Sequence, residues 1–135
     1  ACTALIRRIE QADVAGFVSV HTLIEVAHRV MTIEAAAKHG WPFAGIARRL
    51  KRHTKELQAL TGFRQAVESV PLLGIQILDV AARLVPQAAV ISQQVGLLTG
   101  DALVVAVMQA HGLTDLASHD GDFDRVSWLT RYEPL

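Results

Sequence analysis

Gly100-Asp101-Ala102-Leu103-Val104-Val105-Ala106 places a single acid at the head of an otherwise apolar run. With Leu97 and Leu98 before it and Gly112 beyond it, the run reads as a helix that is apolar on nearly every side and therefore buried. Downstream, Leu113 to Ser118 reads as a short strand. His119-Asp120-Gly121-Asp122-Phe123-Asp124 follows as an acidic turn, and a last extended piece runs from Val126 to Tyr132. Upstream, a helix is predicted from near Arg83 to Gln94, with Pro86 in its first turn, where a missing N–H does least harm, and Gly96 past its end.

Further toward the N-terminus, Ile75 to Leu78 is the best strand candidate of the segment 67–80. Ile46, Leu50, Leu57 and Leu60 mark one more helix, whose other face carries Arg48, Arg49, Lys51, Arg52, His53 and Lys55. Leu23, Val26, Ala27 and Val30 recur at i, i+3, i+4, i+7, which sets Glu25 in the opening turns of a helix with Ser19 and Thr22 as candidate caps. Phe17, Val18 and Val20 form a brief extended run ahead of it. Leu5, Ile6 and Ile9 predict a first helix from Thr3 to about Ala12, with Gly16 as its breaker. Strands alternating with helices indicate an α/β fold around a parallel sheet, and 135 residues without a linker or repeat indicate one domain over 1–135.

Thirteen basic side chains balance thirteen acidic ones, so no global field points to nucleic acid or an anionic membrane, and any such partner must bind a local patch. The single cysteine, Cys2, forms no internal disulfide, in keeping with a reducing cytosol. No stretch approaches the ~18 apolar residues of a membrane span, and no secretory signal opens the chain. A cytoplasmic location is expected.

Three segments each set carboxylates beside apolar sequence. Asp101 alone reads equally as an ordinary helix N-terminal acid satisfied by amides and dipole. Asp120, Asp122 and Asp124 read alone as a solvated turn, and the closing glutamate of a calcium loop is absent. Glu25 alone reads as a surface residue. Taken together they are candidates for one hard-metal site, because Mg²⁺ takes oxygen ligands and retains water. The six histidines lack ligand spacing, and there is no phosphate-binding glycine loop and no nucleophile elbow.

Ser19 with Glu25 early, Gly100 to Ala106 late, and Ser118-His119-Asp120-Gly121-Asp122-Phe123 near the end resemble, in order and separation, the PIN-domain ribonucleases. The likeness is strongest to the toxins of bacterial and archaeal toxin–antitoxin pairs. It implies a three-layer α/β/α fold with a central, mainly parallel sheet and an acidic pocket at the strand ends. It implies Glu25, Asp101, Asp120 and Asp122 as catalytic, metal-holding acids for Mg²⁺ or Mn²⁺, with Ser19, Ser118 and His119 in support. Asp124 lies past the matching stretch. Members of the family ordinarily begin with a strand that ends in an Asp. Here the sequence opens at Ala1 directly into helical pattern, so the expectation is that the natural protein carries that strand upstream.

The implied chemistry is metal-assisted hydrolysis of RNA, with a cation generating hydroxide and steadying the leaving oxygen. Arg48, Arg49, Lys51, Arg52 and Lys55 would contact RNA phosphates or an antitoxin peptide, or simply form a solvated helix face. A homodimer is expected from the surplus of apolar residues and from the resemblance. The competing reading is a catalytically incomplete module that binds RNA or a protein and cuts nothing.

Overall fold

The computed structural model describes residues 2–134. Helix α1 (Cys2–Glu10) carries Arg7 and Arg8 in its last turn. It ends two residues before the predicted limit, where Ala12 turns into the left-handed region at φ 59°. Gly16 is therefore not the breaker. It opens strand β1 (Gly16–Ser19), and its bare α-carbon makes room for α1: a Cβ there would stand 2.7 Å from Ile9 Cδ1.

The predicted extension through Val20 stops one residue short, because Ser19 caps helix α2 (Val20–His39) by accepting the Thr22 N–H at 3.1 Å. Thr22 is thus the capped residue and Ser19 the cap. Gly40, in the left-handed conformation at φ 65°, closes α2.

The single helix predicted from Ile46 to Leu60 is two, α3 (Ile46–Arg52) and α4 (Thr54–Gln58). His53, at φ −123° and ψ 66°, breaks the helical path between them. An unpredicted helix, α5 (Gly62–Ser69), follows and packs along α2. Its first amides are satisfied from a distance: Glu34 of α2 accepts the N–H groups of Thr61 and Gly62 at 2.9 and 2.8 Å. No periodicity in the sequence around Gly62 announces a cap 28 residues away.

Strand β2 (Ile75–Leu78) falls where it was predicted. Helix α6 (Leu84–Val95) ends at Gly96 with φ 79°, and helix α7 (Thr99–Ala110) buries Ala102, Val105, Ala106, Val107 and Met108. Strands β3 (Asp115–Ala117) and β4 (Thr130–Tyr132) are shorter than predicted, and the acidic turn between them is a 3₁₀ turn at Gly121–Arg125 anchored by buried Phe123. One core gathers α6, α7 and the β3–β4 region around Val105 and Phe123. A second gathers Ala35, Ile46, Leu50 and Leu60 between α2, α3 and the α4–α5 link. The result is an α/β sandwich in which every strand pairing is parallel, as expected.

Among the described residues the pairings form two ladders, β1 with β2 in register Gly16↔Ile75 to Ser19↔Leu78, and β3 with β4 from Asp115↔Thr130 to Ala117↔Tyr132. A cleft of about 1030 Å³ lies between the two ladders, and β1 and β3 line it along their whole length. Val104, Val107 and Met108 of α7 line it too. No helix among the described residues is long and apolar enough on its own to cross a membrane.

Candidate acidic site

The carboxyl ends of β1 and β3 set the position of the acids. Ser19 ends β1 and starts α2, so Glu25 lies in the second turn of the helix that leaves the sheet. Asp101 sits in the first turn of α7. Ser19, Glu25, Asp101 and Ser118 line the same end of the cleft, and the carboxyl ends of parallel strands are where α/β folds place ligands.

Gly100, in the first turn of α7, faces His21 and Glu25 of α2. A Cβ there would meet His21 Nε2 at 3.4 Å and Glu25 Oε1 at 3.7 Å. Asp101 is half-buried, and its carboxyl is held above the ordinary value first by loss of water, then by Asp120, Glu25 and Asp122 in that order, with His21 opposing. Asp120, Glu25 and Asp122, all named from the sequence, therefore act electrostatically on Asp101. Asp101 and Asp120 have no cationic partner among the described residues.

The acids differ in what holds them. Asp120 accepts the Asp122 N–H at 2.8 Å and so caps the 3₁₀ turn, while its own N–H donates to Ser118 Oγ at 3.1 Å. Asp122 pairs with Arg125 at 2.8 Å, and Arg125 also donates to the Gly96 carbonyl at 2.8 Å. Asp124 is gripped by Arg131 in a two-pronged contact at 2.8 and 3.0 Å, which lowers its pKa and keeps it out of the acidic group. The same guanidinium donates to the Ser118 carbonyl at 3.0 Å, tying down the strand end next to Asp120. Ser19 serves as the α2 cap, and His119 is exposed, with Nδ1 3.5 Å from Glu133 Oε1.

Among the described residues no three His, Cys, Asp or Glu side chains stand close enough to cage an ion. The donor set still suits a hard cation that keeps most of its water, because Mg²⁺ is commonly held through only one or two carboxylates and otherwise through water and substrate. Asp101 would draw such an ion first, with Glu25 and Asp120 acting on it from either side, and Asp122 would join only by leaving Arg125.

His21 was not picked out from the sequence. It lies 3.4 Å from Glu25 through Nε2, at the i, i+4 spacing that puts both on one face of α2. That spacing was the available signal.

The basic residues gather elsewhere. Arg48, Arg49, Arg52 and His53 line a separate depression at α3, Arg49 lies 5.3 Å from the Trp41 ring centre, and Lys51 and Lys55 flank the group. None of these five cations pairs with an acid among the described residues.

No curated protein and no solved structure matches the chain. The model of the PIN domain family, however, matches residues 2–129, almost the full length, so the chain belongs to the PIN domain family, whose members are generally metal-dependent nucleases.

Proposed function

We propose that this chain is a ribonuclease dependent on Mg²⁺ or Mn²⁺, the toxin of a toxin–antitoxin pair, with Glu25, Asp101, Asp120 and Asp122 as its catalytic acids. One observation carries the reading: Asp120, Glu25 and Asp122 act electrostatically on Asp101, which lines the cleft with Glu25, and neither Asp101 nor Asp120 forms a salt bridge among the described residues. Such a site is self-repelling at neutral pH and gains by taking up a divalent ion.

When bound, the ion supplies a water of lowered pKa and charge stabilisation for an in-line displacement at phosphorus. Asp101 and Glu25 hold the ion's side of the site from two different helices. Asp120, fixed by its bonds to Ser118 and Asp122, brings the third carboxylate from the β3 end. Arg48, Arg49 and Arg52, with Lys51 and Lys55, form no salt bridge among the described residues and are the cations we assign to RNA phosphates or to an antitoxin.

A homodimer and a cytoplasmic location complete the reading, the former supported by exposed Leu98, Leu72 and Ile24. The alternative, a PIN-domain module that binds without cutting, is supported by the absence of a three-ligand cage among the described residues.

Incubating the protein with structured and single-stranded RNA decides between them. Cleavage with Mg²⁺ or Mn²⁺ that stops on chelation supports the nuclease. RNA binding without cleavage under any divalent ion supports the binding module.

A further inference from the structure

Residues 35–55 hold six of the chain's thirteen basic side chains, Lys38, Arg48, Arg49, Lys51, Arg52 and Lys55, and not one Asp or Glu. The chain as a whole is neutral, so positive charge is segregated onto this stretch rather than interleaved with acids as on an ordinary solvated face. Lys38 is engaged by the Ala59 carbonyl, to which it donates at 2.8 Å. The other five are exposed and form no salt bridge among the described residues. Crowded like charges repel, and a bound polyanion removes that repulsion.

Three of the five converge. Arg48, Arg49 and Arg52, with His53 and Gly45, line a depression of about 350 Å³ at α3, a size within the range of small-ligand sites, and its lining contains no acid. The Arg49 guanidinium lies 5.3 Å from the centre of the Trp41 ring. His53 donates from Nδ1 to the Arg49 carbonyl at 2.8 Å, and its ring stands 5.1 Å from that of Trp41. Trp41 thus braces two of the four side chains that face the depression, which lowers the entropy lost when they take a ligand.

Phe43 adds a contact of another kind. It lies two residues before Gly45 and is 58 % exposed. Its carbonyl accepts the Ile46 N–H at 3.2 Å, tying the turn that carries the ring to the start of α3. Cations for the phosphates beside an open aromatic ring for a base face is the combination that holds single-stranded nucleic acid. An acidic peptide satisfies the cations and leaves the ring in water.

The patch also stands at a defined distance from the acids. Glu25 and His39 are fourteen residues apart on α2, about 21 Å along the helix axis at 1.5 Å per residue. A stacked strand at 3.4 Å per nucleotide covers that in about six nucleotides. We propose that the α3 patch is a second, non-catalytic site for single-stranded RNA, with Arg48, Arg49 and Arg52 on phosphates and Phe43 stacked on a base about six nucleotides from the acidic site. The choice of RNA and the register rest on the ribonuclease reading.

Binding is measured apart from cleavage, by fluorescence anisotropy of a labelled single-stranded RNA of about twelve nucleotides in EDTA, at several salt concentrations. The double variant Arg48→Gln, Arg52→Gln is expected to bind tenfold or more weakly and to flatten the slope of log Kd against log salt by about 1.4, two phosphate contacts at about 0.7 each. Phe43→Leu is expected to weaken binding about tenfold with the salt slope unchanged, and the wild type to prefer the single strand over a duplex of the same length. Equal affinity in the wild type and the double variant, a Phe43→Leu effect under twofold, or a duplex bound as tightly as the single strand overturns the proposal. Displacement of the RNA by poly-glutamate at lower concentration than by unlabelled RNA overturns it in favour of a protein partner. Cleavage of the same RNA in Mn²⁺ is scored separately. Cleavage by the wild type with binding unaltered in the variants leaves the nuclease reading standing without this patch, and binding lost in the variants with no cleavage under any divalent ion upholds the patch and sinks that reading.

Discussion

Asp122 and Arg125 pair at 2.8 Å within the turn that carries the acidic loop, and the same arginine is anchored to the Gly96 carbonyl. The pair sets Asp122 apart from Asp101 and Asp120, which form no salt bridge among the described residues, and from Glu25, whose neighbour is His21 at 3.4 Å. Both partners are half-exposed, so the pair itself stabilises the fold by less than about 1 kcal/mol. Its consequence is for ion binding. Asp122→Asn is expected to weaken Mn²⁺ binding less than Asp101→Asn does, and Arg125→Gln to tighten it two- to fivefold by freeing Asp122. Equilibrium dialysis with Mn²⁺ ranks the three, and an Asp122→Asn effect as large as that of Asp101→Asn contradicts the division.

Asp101→Asn separates catalysis from folding. Removing the charge relieves repulsion from Asp120, Glu25 and Asp122, so the metal-free variant is expected to melt at or slightly above the wild-type temperature, a gain of under about 1 kcal/mol at this half-exposed position. RNA cleavage in Mg²⁺ or Mn²⁺ is expected to fall by at least about 10³-fold, as for removal of a central electrostatic contact. Retained cleavage removes Asp101 from the mechanism.

The raised pKa of Asp101 fixes the sign of a pH effect. An acid whose folded pKa lies above its unfolded value binds more protons in the native state between the two, so stability falls as pH rises through that interval. Ionised Asp101 therefore destabilises the metal-free protein, a cost that sets in as pH climbs through the ordinary carboxylate range and is complete above the raised folded value. A divalent ion, which binds the ionised form, is expected to restore stability most at neutral pH and progressively less as pH falls. Thermal melts across pH with and without Mn²⁺ measure this, and an ion effect that grows toward acid pH has the wrong sign.

Glu34 accepts two backbone N–H groups at the head of α5, and hydrogen bonds to a charged group contribute about 1.5–3 kcal/mol. Glu34→Ala is expected to cost about 2 kcal/mol in urea unfolding and to loosen α5 first, seen as faster amide exchange at Thr61 and Gly62. Ion binding at Asp101, on α7, should be unchanged.

Gly16→Ala places a methyl 2.7 Å from Ile9 Cδ1 and 3.0 Å from Ile9 Cγ2. Ile9 must move, and overpacking of this kind costs about 1–3 kcal/mol. Ile9→Ala in the same background is expected to recover part of the loss, a coupling that a double-mutant cycle reads directly.

What the sequence by itself determined was local and periodic. The apolar run behind Asp101 could only be a buried helix, Ile75 to Leu78 could only be extended beside its turn residues, and the order of Glu25, Asp101 and the Asp120 loop carried the family resemblance. These follow from side-chain spacing along a few turns of chain, which is written in the sequence. Tertiary structure decided what depends on groups far apart in it. It split the Ile46–Leu60 helix at His53, raised α5 on a cap supplied by Glu34, handed Asp122 to Arg125 and Asp124 to Arg131, and set His21 beside Glu25. Two carboxylates in one loop carry the same charge and the same local pattern. Which of them stays free for a cation is settled by where the nearest guanidinium arrives in space.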